Sequence, residues 1–264
     1  MSATTHTTPL PAGPATTINR HLKGEWTKLR TLPSTWRTAA FAALLAIGFT
    51  AAADLSQASL TAQQRGTFDA TSASLFGVII AATLLGALAV RTVTAEYATG
   101  MIRSTFSAMP ARRLVLAAKA ATVAAFVLPV ALLCDVVGFE LGQRIFAAKH
   151  LQVALSHPGV PRAIVFGAVA ASLVAIIGVG LGGVIRHTAA ATTTLTMIIV
   201  GDVILGQLLP AGLRQYLPGT AAQAAITVHR SSGLLTPDAA IAVLGAYAAI
   251  ALAAALIRVA HRDA

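Results

Sequence analysis

Cysteine, charge and aromatic residues are all scarce in this chain, and each scarcity excludes something. One cysteine, Cys134, in 264 residues rules out an internal disulfide, and no Cys or His spacing matches a zinc site. Only 11% of residues are charged, against roughly 25% in an ordinary soluble domain. There is no G-x-x-x-x-G-K-[ST] loop to cradle a nucleotide phosphate, no H-E-x-x-H and no G-x-S-x-G. Val200-Gly201-Asp202 lacks the second aspartate of an intramembrane aspartyl protease. The chain is therefore read as non-catalytic, with no cofactor of its own. The seven histidines are scattered through loops and ends and read as solvated.

Apolar residues fill the space that charge leaves. They make up 56% of the sequence, and mean hydropathy is +0.76. Six apolar stretches stand out, at about 38–53, 72–90, 114–138, 163–185, 188–209 and 239–257. A helix needs about 20 apolar residues to cross the hydrocarbon core. Ala and Leu dominate the stretches, and the period-two alternation of a membrane barrel is missing. The expected architecture is an all-α membrane protein: a six-transmembrane-helix bundle forming one domain over 18–264. Residues 1–17, rich in Thr and Pro, read as a disordered cytoplasmic tail rather than a signal peptide.

The formal charge is +10, yet the basic residues sit at the ends of apolar runs, which makes them a topology signal rather than a nucleic-acid footprint. Arg20, Lys23, Lys28, Arg30 and Arg37 precede the first span; Arg91, Arg103, Arg112, Arg113 and Lys119 follow the second; Arg186, Arg258 and Arg262 lie on the same side. The other face carries Arg65, Arg144, Lys149, Arg162, Arg214 and Arg230. A bias of about two to one places both termini in the cytoplasm of a multi-pass protein. Ahead of the first span, Ile18, Leu22, Trp26 and Leu29 recur at helical spacing, with Lys28 and Arg30 on other faces. The pattern predicts an amphipathic helix along the membrane surface, ended by Pro33.

Three features carry candidate chemistry. The polar stretch from Thr94 to Arg113 is the main cytoplasmic surface, with Glu96, Tyr97, Met101, Arg103 and Phe106 placed to dock a partner. Asp135 and Asp202 lie within apolar runs, where a charge costs about 2.5–3.5 kcal/mol at a helix centre. Asp135, near the outer end of its span, is expected to meet water or headgroups. Asp202 is a candidate intramembrane polar site, either a substrate or proton contact or a neutral group bonded to a neighbouring helix. Gly178 and Gly182, with Gly180 and Gly183 beside them, have the small-xxx-small spacing of close helix packing, and Pro129 predicts a kink.

The chain resembles the actinobacterial branch of type-2 ATP-binding-cassette (ABC) transporter permeases. Four segments carry the resemblance: Glu25-Trp-Thr-Lys-Leu-Arg-Thr with Ser34-Thr-Trp; Glu96-Tyr-Ala-Thr-Gly-Met-Ile-Arg-Ser-Thr with Pro110, Arg112, Arg113 and Lys119; Leu181-Gly-Gly-Val-Ile-Arg-His-Thr-Ala; and Tyr216-Leu-Pro-Gly. The resemblance implies a permease subunit in a bacterial plasma membrane. It implies export of an amphiphilic, drug-like or lipid-like substrate, driven by a separate ATP-binding subunit that carries ATP and magnesium, and pairing of permeases as homodimer or heterodimer. It places the coupling role on Glu96, Tyr97, Thr99, Gly100, Ile102 and Arg103, and an interface helix on Trp26, Lys28, Leu29 and Arg30, in contact with membrane lipid. Two other readings stay open: an ion-coupled secondary transporter or channel built on Asp202, and a non-transporting sensory or immunity protein.

Overall fold

The structure, a computed structural model, describes residues 14–57, 68–102, 104, 112–148, 150–202, 206, 208–229 and 233–261. Among these residues every regular element is a helix: α1 (Pro14–Thr31), α2 (Pro33–Gln57), α3 (Ala70–Ser74), α4 (Gly77–Ala98), α5 (Arg112–Ala147), α6 (Val160–Ile185), α7 (Thr188–Val200), α8 (Ala211–Arg214), α9 (Pro218–Ala225) and α10 (Pro237–His261). Five helical segments are long and apolar enough to cross a membrane: Pro33–Ser56, Ala70–Ala98, Arg113–Ala147, Val160–Ile185 and Pro237–Ala260.

Five of the six expected stretches correspond to longer helices than hydropathy alone outlines. The first span runs from Pro33, and its neighbour continues past Val90 to Ala98. The third extends nine residues beyond Gly138, because Phe139 and Phe146 are buried on its inward side and hold the polar end of α5 against the bundle. Pro129 lies inside α5 and the helix runs through it, losing the bond to the preceding turn that its missing N–H would make. The expected fifth span, 188–209, is described only in part, since 203–205 and 207 lie outside the described residues. Its regular helix stops at Val200 after 13 residues, about 20 Å at 1.5 Å per residue and short of the roughly 30 Å hydrocarbon core. Gly201 ends it, donating its N–H to the Met197 carbonyl.

Helix α6 is the hub, packing most extensively against α4, α10 and α5. Its small residues let it touch two neighbours at backbone distance. A methyl at Gly178 would lie 2.5 Å from the Gly86 carbonyl oxygen of α4, and one at Gly180 would lie 2.5 Å from Ala251 of α10. The small-residue stripe is thus intramolecular packing. The core around it is Ala- and Val-rich, with Leu85, Val90, Val174 and Leu195 fully buried. The exposed Phe41, Leu44, Phe49, Leu133 and Ile250 lie on spanning helices, where a lipid-facing surface is apolar. Asp69 fastens α3 to the chain after α9, accepting hydrogen bonds from the Val228 and His229 N–H groups at 2.9 and 3.1 Å.

Candidate functional site

Helix α1 packs its inner side on the bundle. Glu25 and Leu29 point inward and are buried, whereas Trp26 is 41% exposed. Pro14–Thr17, the end of the segment expected to be disordered, belong to this helix. Leu32 separates it from α2, and Trp36 seals the corner, donating its indole N–H to the Arg30 carbonyl at 2.8 Å and stacking edge-on against Phe126.

Glu25 is inward because of what it meets. Lys119, about two turns into α5 and 2% exposed, places its Nζ 2.7 Å from Glu25 Oε2 and 2.7 Å from Glu96 Oε1. Lys28 Nζ closes the ring at 2.8 Å from Glu25 Oε1 and 3.0 Å from Glu96 Oε1. Two carboxylates and two ammonium groups thus join α1, α4 and α5 in a net-neutral cluster. Burial alone would raise the Glu25 carboxyl; the charges and hydrogen bonds of Lys119 and Lys28 outweigh it and hold it below its ordinary value. Burial likewise opposes the charge on Lys28, but Glu25 and Glu96 outweigh it and raise its pKa. Such a cluster adds little net stability compared with apolar packing, and it is severely destabilised when one member is removed. Its contribution is register: it fixes which turn of α1 lies against which turns of α4 and α5.

A cavity of about 240 Å³ adjoins the cluster, bounded by Leu29, Leu32, Leu88, Arg91 and Met101 as well as its charged members. On the other side of α4 the turn between α6 and α7 comes in. Arg186, left-handed at φ 61°, caps α6 through its N–H to Gly182, and its guanidinium lies 4.8 Å from the centre of the Tyr97 ring. Thr94 and Thr188 hydroxyls are 2.7 Å apart, and His187 caps α7 by accepting from the Ala190 N–H. Three of the segments that carry the family resemblance, far apart in sequence, therefore meet at one end of the bundle.

The sequence-predicted coupling residues divide at this end. Glu96 is 6% exposed and bound within the chain, so it is not a surface docking group. Tyr97 is half-buried under Arg186, and Ile102 is buried. Thr99, Gly100 and Met101 are exposed, with Gly100 at φ 71° turning the chain out of α4. Arg103 and Phe106 lie outside the described residues. In the interface helix Lys28 and Leu29 face the bundle while Trp26 and Arg30 face outward.

The acidic residues inside the bundle are also resolved. Asp202 is buried and accepts a 2.5 Å hydrogen bond from the Thr220 N–H, so it caps the first turn of α9, whose opening N–H groups have no partners within the helix. Asp135 is 3% exposed. The expectation that it meets water or headgroups is corrected: α5 continues a further three turns, so Asp135 is not near the helix end. Asp54, which sequence reasoning passed over because it follows the last strongly apolar turn of α2, is fully buried at 0% exposure. Among the described residues no group of three or more His, Cys, Asp or Glu is arranged to hold a metal ion.

No family model matches the chain, and no curated protein matches it.

Proposed function

We propose that this chain is the membrane-spanning permease subunit of an ABC-type exporter in a bacterial plasma membrane, moving a small amphiphilic substrate and driven by a separate ATP-binding subunit. The observation that carries the reading is the convergence at one end of the bundle. The exposed turn at Thr99–Met101 is rooted in Glu96, and Glu96 is tied through Lys119 and Lys28 to the interface helix and α5. A force applied to that turn by a docked motor is transmitted directly to three helices, which is what a passive permease requires of its coupling surface. Side chains for the motor to grip are then the exposed Thr99 and Met101, with Glu96 as the anchor beneath them.

The sixth crossing belongs to the same proposal. Helix α7 and the chain beyond Asp202 together make the fifth of six passes, placing both termini in the cytoplasm with the ion cluster at the cytoplasmic end. Reporter fusions at Ala111 are expected inside, and fusions near Ser59, Ser156 and Ser231 outside. A carboxy-terminal reporter on the side opposite the amino terminus would replace six passes with five.

The direct test uses one engineered cysteine. Cys134 is buried, so Thr99→Cys in the full chain offers a selective handle for cross-linking in cell membranes. The expected product is an adduct with a protein that carries a phosphate loop, together with reduced ATP hydrolysis by the purified complex. Cross-linking only to lipid or to other copies of this chain would sink the coupling role.

A further inference from the structure

At the end of the bundle away from the ion cluster, the face of α5 that carries Asp135 also carries Gly138 and Gly142. Seven residues are almost two full helical turns, so Asp135 and Gly142 share a face about 10 Å apart. Each glycine position there gives room to an oxygen. A methyl at Gly142 would collide with Asp54 Oδ2 and Ser74 Oγ, and a methyl at Gly167 of α6 would sit 2.6 Å from Asp135 Oδ2. Between the two levels lies Thr50, whose hydroxyl accepts the Gly77 N–H at 3.0 Å.

Neither oxygen of the Asp54 carboxyl meets a hydrogen-bond partner, and neither does Asp135 Oδ2. Buried polar atoms are almost always paired, and an ionisable group at membrane depth without a partner marks a functional position. Among the described residues no cation offsets them. Helix α6 has one charged residue, Arg162, whose Nη2 donates to the Thr227 carbonyl at 3.0 Å. The charges of α4, Arg91 and Glu96, lie at the cluster end, as does Arg37 of α2. On α5 only Cys134 adjoins, while Glu140 and Arg144 are exposed. Helices α3 and α9 carry no titratable side chain.

A chain of hydrogen bonds reaches this face from the loop after α5, ending at Ser74, whose hydroxyl donates to the Ala70 carbonyl at 2.8 Å. Gln143 accepts the Val153 N–H at 2.7 Å from the loop after α5, and donates through Nε2 to Ser74 Oγ at 3.0 Å. Ser74 Oγ shares the space over Gly142 with Asp54. The space bounded by Thr50, Ser74, Cys134 and Asp135 is too tight for a water-sized sphere, so a hydrated metal cation does not fit there, whereas a proton needs no such space.

We propose that Asp54 and Asp135 form a proton-binding site inside the bundle, loaded from the end opposite the ion cluster along Gln143 and Ser74. The carboxyls hold their protons while the helices are packed as in this structure, and release them when α2 and α5 part. The proposal does not rest on the permease reading and holds equally for a carrier or a sensor.

The test is infrared spectroscopy of the full chain in lipid nanodiscs. At neutral pH the protein should show the carbonyl stretch of a protonated carboxylic acid, shifting on transfer to heavy water. D54N and D135N should each remove about half of that band, and the double variant nearly all. A wild-type spectrum without the band, or a double variant that keeps it, overturns the site. For the route, Gln143→Leu should slow the heavy-water shift of the band at least tenfold while leaving its size unchanged. An unchanged rate overturns the entry path. Failure of Thr99→Cys to capture an ATPase would leave all of these outcomes untouched.

Discussion

The two ends of the bundle treat buried charge in opposite ways. At one end four ionised groups from three helices neutralise one another within 3.0 Å. At the other, two carboxyls from α2 and α5 have no ionic partner among the described residues and are seated against glycines. The same helices, α2, α4 and α5, reach both ends, so the contrast lies in side chains alone. A closed ring of charges holds elements in register, and its members are committed. A solitary carboxyl holds nothing, and its capacity to take up and lose a proton remains.

The comparison breaks most sharply if one member of the ring is removed. Lys119→Met leaves the buried Glu25 and Glu96 with only the half-exposed Lys28 between them and should cost about 3–5 kcal/mol, read as a lower unfolding midpoint in detergent. If the loss is below about 1 kcal/mol, the ring is a surface network and the contrast disappears. Acid is a gentler form of the same perturbation. The folded-state pKa of Glu25 is depressed from 4.5, so its contribution is present above that value and is lost as pH falls through the lower, folded one. The protection of α1 amides relative to their intrinsic exchange rate should fall below about pH 4.5 and hold between pH 5 and 8.

At the opposite end the sensitivity is steric. Gly142→Ala pushes into Asp54 and Ser74 and should cost about 1–3 kcal/mol; Gly24→Ala, with nothing within 4 Å of the added methyl, should stabilise α1 by about 0.5–1 kcal/mol. Opposite signs for the same chemical change would sharpen the comparison, and equal signs would blunt it. Asp202→Ala removes a helix cap and should cost about 1 kcal/mol, seen as faster exchange at Gly219 and Thr220 with no change in the infrared carboxyl band. A change in that band would return Asp202 to the list of proton-binding residues.

Much of the helical layout is legible in the sequence, because hydropathy reports what a bilayer requires, and the Gly178–Gly183 stripe reads correctly as packing. What periodicity conceals is pairing. Lys119 reads as a flanking charge that sets topology, since nothing local shows that Glu25, 94 residues earlier, will meet it. The apolar spacing of α1 does not show that Glu25 is buried beside Leu29 while Trp26 stays exposed. Asp54 escapes notice at the end of an apolar run, and Asp135 reads as exposed because the apolar signal fades before α5 ends.

Helix α5 spans both ends in one piece. Its 36 residues make a rod about 54 Å long, with Lys119 and Gln143 some 36 Å apart along it. Pivoted at Lys119, the rod carries Gln143 sideways by about 0.6 Å for every degree of tilt. That is lever geometry, and Pro129, which interrupts the hydrogen-bond ladder between the two points, is where such a rod flexes most easily. A tilt of five degrees moves Gln143 by about 3 Å, more than the tolerance of its hydrogen bond to Ser74. The grip at one end of the rod and the contact at the other are two readings of a single angle.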